Sequence, residues 1–209
     1  MSIESTSEKT VRDVAVVGGG PAGMIAALTA AREGARVTLL ERNEKLGKKL
    51  YITGKGRCNV TNIADFEEFF AQVPRNPRFL NAAVRRFSAQ DLIALLESLG
   101  VETVVQRGGR VFPKSEKASD VTRALERALQ RAGVRVRLGC RVQAVLREDG
   151  AVNGVLLGDG TKLPAQSCLL YTSNGPRPLI GRDAAPAPGQ GRRGDRGAFP
   201  RQQADERLL

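Results

Sequence analysis

The chain has no histidine and no tryptophan among its 209 residues. Without histidine, Ser-His and Cys-His nucleophilic catalysis are excluded, together with most zinc sites, and no metal centre is expected. Aromatic residues are scarce, with seven phenylalanines and two tyrosines. No interleaving of basic and aromatic residues stands out. That weakens the nucleic-acid reading raised by a net charge of +11. The bland alternative is a basic surface around an anionic ligand. Cysteines number only three, Cys58, Cys140 and Cys168, widely spaced and without a C-x-x-C pair. They exclude a disulfide framework and suit a reducing compartment.

Long hydrophobic runs are also missing. Residues 14–31 are apolar enough to catch a hydropathy scan, but Gly18, Gly19, Gly20, Pro21 and Gly23 interrupt them. A membrane span is therefore excluded, and no membrane partner is expected. The opening "MSIESTSEKTVRD" is polar and carries acids, unlike a signal peptide. A cytoplasmic location is the expectation.

What is present begins with "VAVVGGGPAGMIAALTAAREGARVTLLE". Residues 12–17 read as a buried strand. Residues 21–33 read as a helix with proline in its first turn and Gly34 as its stop signal. Residues 36–40 read as a second strand ending at Glu41. Strand, turn, helix and strand within about 30 residues form a βαβ unit, hence a parallel sheet. Gly18-x-Gly20-x-x-Gly23 lies where strand meets helix. Gly18 permits the tight turn, Gly20 lets backbone approach a pyrophosphate, and Gly23 lets the helix close on the strand. The pyrophosphate would sit on the helix N-terminus. Glu41 follows 18 residues after Gly23, placed to accept hydrogen bonds from a ribose. An acid there, not an arginine, argues against an NADP phosphate, while FAD and NAD both remain open.

Downstream, short helices are expected over residues 65–71, 77–87 and 88–99, the last with Ser88 and Asp91 at capping-box spacing. Two short strands flank Gly108-Gly109, and Ser119 is expected to cap a helix running to Ala132. Strands follow at residues 134–138, 141–147, 151–157 and 162–170, with Asp149-Gly150 as a hairpin turn.

The segment "GKKLYITGKGRCNVTN", residues 47–62, starts six residues after Glu41, at the sheet edge where open α/β folds bind ligands. Lys48, Lys49, Lys55 and Arg57 could balance pyrophosphate charge. Asn59, Thr61 and Asn62 offer polar groups to a heterocycle, and Gly54 and Gly56 permit close approach. The bland reading is a solvated basic loop. Cys58 reads as a small residue in a packed site more readily than as a redox thiol, since no resolving cysteine is near. Arg110 reads equally as an anion contact or as a structural hairpin residue.

This segment, behind the glycine-rich unit and ahead of "GGRVFPKSEKASDVTRALERAL", resembles a bacterial FAD-binding family, the aminoacetone-oxidase-like or bile-acid 3-dehydro-4-reductase-like flavoproteins. The three motifs span residues 13 to about 170. The resemblance implies FAD as the cofactor, with NAD(P)H a candidate electron donor. It implies that Gly18, Gly20, Pro21, Ala22 and Gly23 cradle the pyrophosphate and that Glu41 holds the adenosine ribose. It places Lys48, Arg57, Cys58 and Asn59 near the flavin, and Val142 against adenine through its backbone. It names no catalytic acid or base.

From residue 171 onward the texture changes. Residues 171–209 hold six glycines, five prolines and seven arginines, with no lysine. Those are residues of GC-rich codons, and the family pattern is lost at about residues 170–175. The expectation is a low-complexity, disordered tail, arising from a frameshift or a truncation. The expected organisation is a flexible terminus over residues 1–11, an α/β Rossmann-like FAD-binding domain over 12–170, and the tail over 171–209. That domain would contain a parallel sheet, a βαβ unit, extra helices and a β-meander. A sheet cut short in this way would leave one edge and one face uncovered.

The expected function is FAD-dependent oxidoreduction of a small organic substrate. Two alternatives stay open: a fragment that binds the dinucleotide without turnover, and a basic nucleic-acid-associated protein.

Overall fold

A computed structural model of the chain describes residues 11–170. The expectations for residues 1–10 and 171–209 lie outside the described residues. The chain opens with β1 (Asp13–Val17), α1 (Pro21–Arg32) and β2 (Arg36–Leu40). A broken 3₁₀ segment (Leu50–Gly56) and β3 (Thr61–Asn62) follow. Next come α2 (Phe66–Ala71), a 3₁₀ turn (Pro77–Leu80), α3 (Asn81–Arg86) and α4 (Ala89–Ser98). Then β4 (Thr103–Gln106), β5 (Arg110–Pro113), α5 (Ala118–Arg131) and β6 (Arg135–Arg137) lead to a run of strands. These are β7 (Val142–Glu148), β8 (Ala151–Leu157), β9 (Lys162–Pro164) and β10 (Ser167–Leu170).

The main sheet is parallel, in the order β10-β1-β2-β6. Its central strands are nearly all apolar because both faces are covered. On one face Val16, Val37 and Leu39 pack against Met24, Ala27 and Leu28 of α1 and against Val121, Leu125 and Leu129 of α5. The buried positions of α5 recur at three and four residues, which turns one stripe inward. On the other face Ala15 and Leu40 meet Val142, Val145, Val155 and Leu157. Those residues belong to an antiparallel meander, β7-β8-β9, lying over the sheet. The sheet face expected to be bare is therefore covered.

The structure differs from the sequence expectations in three further places. Residues 162–170 form two strands, not one: β9 pairs antiparallel with β8, and β10 pairs parallel with β1. Pro164 ends the first because it has no N–H to continue a ladder. The helix expected over residues 77–87 breaks into a 3₁₀ turn and a six-residue helix. Ser119 lies inside α5, whose N-cap is Lys117 without a side-chain hydrogen bond. By contrast, Ser88 and Asp91 do form a reciprocal capping box. So do Asp65 and Glu68, a pair the sequence reading overlooks.

A third sheet, β3-β5-β4, carries the end of the basic loop. No residue of α2, α3 or the turn between them is buried. No helix among the described residues is long and apolar enough to cross a membrane.

Candidate functional site

The glycine-rich turn hangs between the ends of β1 and β2, where the Gly18 N–H donates to the Leu40 carbonyl at 2.8 Å. Gly18 has φ +109°, a region closed to residues with a Cβ. Its neighbours divide into two kinds by the space around them. A Cβ on Gly23 would lie 1.9 Å from the Gly18 carbonyl oxygen, so α1 closes directly on the turn. A Cβ on Gly19 would lie 2.3 Å from Leu46 Cδ2 and 3.1 Å from Glu41 Oε2. A Cβ on Gly20, in contrast, would meet nothing within 4 Å. Space is open outside Gly20, as it is outside Gly18, while the positions at Gly19 and Gly23 are filled.

Gly20 is the N-cap of α1 and contributes no side-chain cap, with Pro21 at the first helical position. The Met24 N–H closes the first helical bond onto the Gly20 carbonyl at 2.9 Å. Ala22 and Gly23 therefore present N–H groups that helix geometry leaves without an internal acceptor. Together with the helix dipole, they form an end that favours a negative ligand.

Glu41 is buried, at 8% exposure, immediately beside this end. Its Oε2 accepts from the Gly19 N–H at 2.6 Å. Its Oε1 accepts from the Asn43 N–H at 2.8 Å and from the Asn43 side-chain amide at 2.6 Å. The Glu41 backbone also joins the strands around it: its N–H donates to the Arg137 carbonyl, and its carbonyl accepts from the Cys140 N–H. Val142, two residues further on, is buried against Leu40 and paired with Leu157. The ends of β1, β2 and β6 and the approach to β7 thus converge on one residue, Glu41, through its carboxylate or its backbone.

The basic loop is seated against the same turn. The Gly47 N–H donates to the Gly19 carbonyl at 2.8 Å, and Leu46 and Leu50 are buried beneath. Beyond that point its residues face two ways. Lys48 stays near the carboxylate, with its Nζ 3.4 Å from Asn43 Oδ1 and 3.5 Å from Glu44. Arg57 turns to the β4–β5 hairpin. Its guanidinium bonds Gln106 at 3.1 Å and Glu116 at 2.9 Å, and stacks over Phe112 at 4.5 Å. Hydrogen bonds from Gln106 and Arg57 hold the Glu116 carboxyl below its usual range. Asn59, with its amide nitrogen turned inward, bridges the Val111 and Thr61 carbonyls at 3.2 and 3.0 Å.

Cys58 is fully buried at φ +63°. Burial pushes its thiol pKa up against a lowering hydrogen bond with Thr53. A thiol raised in this way contributes stability below the ordinary thiol range, and loses it as pH rises through the raised value. The thiolate is the reactive form, so Cys58 should resist alkylation. We expect native-state treatment with iodoacetamide at pH 8 to leave Cys58 unmodified by peptide mass spectrometry, with modification appearing only in denaturant. Rapid native labelling of Cys58 would contradict its packed position.

Among the candidate residues, Gly18, Gly20, Pro21, Ala22, Gly23, Glu41 and Lys48 gather at one end of the main sheet. Val142 lies under that end. Arg57, Cys58 and Asn59 form the loop's inner side, engaged by the hairpin. Gly19, Asn43 and Glu116 were missed. Gly19 was visible as the middle of a glycine triplet, whereas Asn43 and Glu116 carry no motif signal.

A glycine-rich strand-to-helix turn, an uncapped helix end and a buried acid at the tip of the second strand define a Rossmann-type dinucleotide-binding domain. A family model described as "HI0933-like protein Rossmann domain" matches residues 12–188. The chain belongs to this FAD-binding oxidoreductase family. It is 34% identical over 175 residues to the 3-dehydro-bile acid delta(4,6)-reductase of Clostridium scindens, covering 82% of this chain and 41% of that protein. It is 30% identical over 150 residues to the ribosomal RNA dihydrouridine synthase of Escherichia coli K12, covering 70% of this chain and 37% of that protein. The chain therefore spans about two fifths of the length of these curated relatives. Among solved structures, an open-conformation flavocytochrome c3 fumarate reductase superposes with a TM-score of 0.53 at 22% identity, covering 76% of this chain and 33% of that one. The THI4 protein of Thermovibrio ammonificans gives 0.51 at 19%, covering 75% and 54%. These two likenesses establish the fold.

Proposed function

We propose that the chain holds FAD by its ADP half and serves a reductase acting on a carbon–carbon double bond conjugated to a carbonyl in a small organic substrate. The observation that carries the cofactor reading is the open space outside Gly20, flanked by the filled positions at Gly19 and Gly23. A pyrophosphate fits there: Ala22 and Gly23 would donate their N–H groups to it, and the absent Cβ lets it reach them. Glu41 would accept a hydrogen bond from the adenosine ribose, and Lys48 would sit at the rim of the same end. Arg57, Cys58 and Asn59 would hold the loop in shape beside the flavin. Val142 would support the adenine side from below.

The substrate reading rests on the names of two relatives. A reductase of a 3-oxo delta(4,6) steroid and a synthase of dihydrouridine both reduce a double bond conjugated with a carbonyl. FAD, when bound, supplies the hydride for such a step, and NAD(P)H is the proposed source of its electrons.

The test is the visible spectrum of the chain after incubation with FAD and gel filtration. The expected result is a flavin spectrum that co-elutes with protein and is released as FAD on heating. A chain that stays colourless would overturn the reading.

A second reading, with uracil in RNA as the substrate, is favoured by one surface feature. Residues 74–88 contain four arginines and no acid. Arg75, Arg78 and Arg86 are exposed there beside Phe79, which is 79% exposed, and Phe87. Basic and aromatic side chains do interleave locally, although the whole-chain composition hides it. Three phosphate contacts would make single-stranded RNA affinity fall about 100-fold over a tenfold rise in salt. Retention that ignores salt, or is absent at low salt, would exclude this reading.

A further inference from the structure

We infer that Asn43 is a positioning residue that restricts Glu41 to recognising one ribose hydroxyl. The inference rests on the dinucleotide reading of the site. A carboxylate offers about four lone-pair positions. In Glu41 two are taken on Oε1, by the backbone and side-chain N–H groups of Asn43. One more is taken on Oε2 by the Gly19 N–H. A single acceptor position is left, on Oε2, next to the turn. A ribose presents two neighbouring hydroxyls, so a carboxylate with both oxygens free would accept from both. Glu41 can accept from one.

The surroundings keep Asn43 in this role. Its carbonyl accepts from the Gly139 N–H at 2.9 Å, which ties it to the connection between β6 and β7. Its side-chain oxygen faces the Lys48 ammonium at 3.4 Å. A cation on that side fixes which end of the amide turns to Glu41, and the nitrogen end is the one that donates. Lys48 therefore acts on the acid through Asn43. Glu41 itself cannot swing away, since it is buried and bonded at both oxygens. The result is a one-handed contact with a preset direction.

The test compares ADP, 2′-deoxy-ADP and 3′-deoxy-ADP by isothermal titration against the wild-type chain and Asn43→Ala. In the wild type, removal of one hydroxyl should weaken binding about tenfold, and removal of the other less than about twofold. Asn43→Ala frees a lone pair on Oε1, so the two deoxy ligands should weaken binding by similar factors. Equal losses in the wild type would overturn the inference without any variant. An unchanged hydroxyl preference in a folded Asn43→Ala chain would also overturn it. Failure of the wild type to bind ADP at all would instead remove the dinucleotide reading, and this inference with it. A general structural role for Asn43 would weaken all three ligands equally and leave the preference in place.

Discussion

Gly23→Ala should yield a chain that neither folds stably nor binds FAD, whereas Gly20→Ala should fold normally and lose only the ligand. The two substitutions add the same methyl group three residues apart. At Gly23 the methyl carbon would sit 1.9 Å from the Gly18 carbonyl oxygen, and that neighbour is backbone. Relief requires moving α1 away from β1, which would open the packing of Met24 against Val16. The expected cost is on the order of 3 kcal/mol or more, the upper range for overpacking. At Gly20 the backbone is extended, with φ −75° and ψ 177°, which alanine adopts freely. Its methyl would project into the open side, so the cost should be only that of alanine replacing glycine at an N-cap, about 1 kcal/mol or less. A ligand approaching the Ala22 and Gly23 N–H groups would meet that methyl, and FAD affinity should fall at least about tenfold. Urea denaturation and FAD titration of both variants measure the contrast. Equal loss of stability in the two would show that Gly20 is a packing residue.

Glu41→Gln should damage folding and binding together. The glutamine oxygen can replace only one carboxylate oxygen, so its NH₂ group must face either the Gly19 N–H or the Asn43 donors. Two donors set nose to nose in a buried position leave one unsatisfied, a cost of about 1–3 kcal/mol. In the proposed function Glu41 is the negative acceptor for ribose, so that contact would be lost too, and hydrogen bonds to charged groups are the stronger kind. FAD affinity should fall about 10- to 100-fold. Exposed Glu126 on α5 is the control, and Glu126→Gln should leave both stability and affinity within error. A Glu41→Gln chain with unchanged FAD affinity would show that Glu41 is structural only.

Much of this was legible because the decisive residues lie close in sequence. The turn, the helix and the terminal acid fall within residues 13–41, and each carries a local signal: glycine spacing, a first-turn proline, an apolar strand. The Asp149-Gly150 hairpin and the Ser88 cap are local in the same sense. What stayed hidden depends on distant contacts. Nothing in "TKLPAQSCLL" says that its first half belongs to the meander and its second half to the main sheet. That split follows from β10 finding β1 far back in the chain. Arg57 read as a free cation because its partners, Gln106 and Glu116, are about 50 and 60 residues away. The role of Asn43 was hidden for another reason. Its bonds to Glu41 span only two residues, but they form in a loop where no periodicity marks which way a side chain turns.

The pairing of β1 with β10 also sets the order in which the protein can be made. Asp13 and Gln166, bonded to each other where these strands begin, are separated by 153 residues. At synthesis rates of roughly 5 to 20 residues per second, the first of them waits about 8 to 30 seconds for the second. During that interval β1 can pair with β2 and receive α1, because those elements follow at once. Its other edge stays without a partner, and the cover over Ala15 and Leu40 is unmade until β7 and β8 emerge. The nascent chain therefore carries its glycine-rich turn and α1 on an unfinished sheet, and the corner around Glu41 closes only when Arg137, Gly139 and Cys140 arrive to bond Glu41 and Asn43.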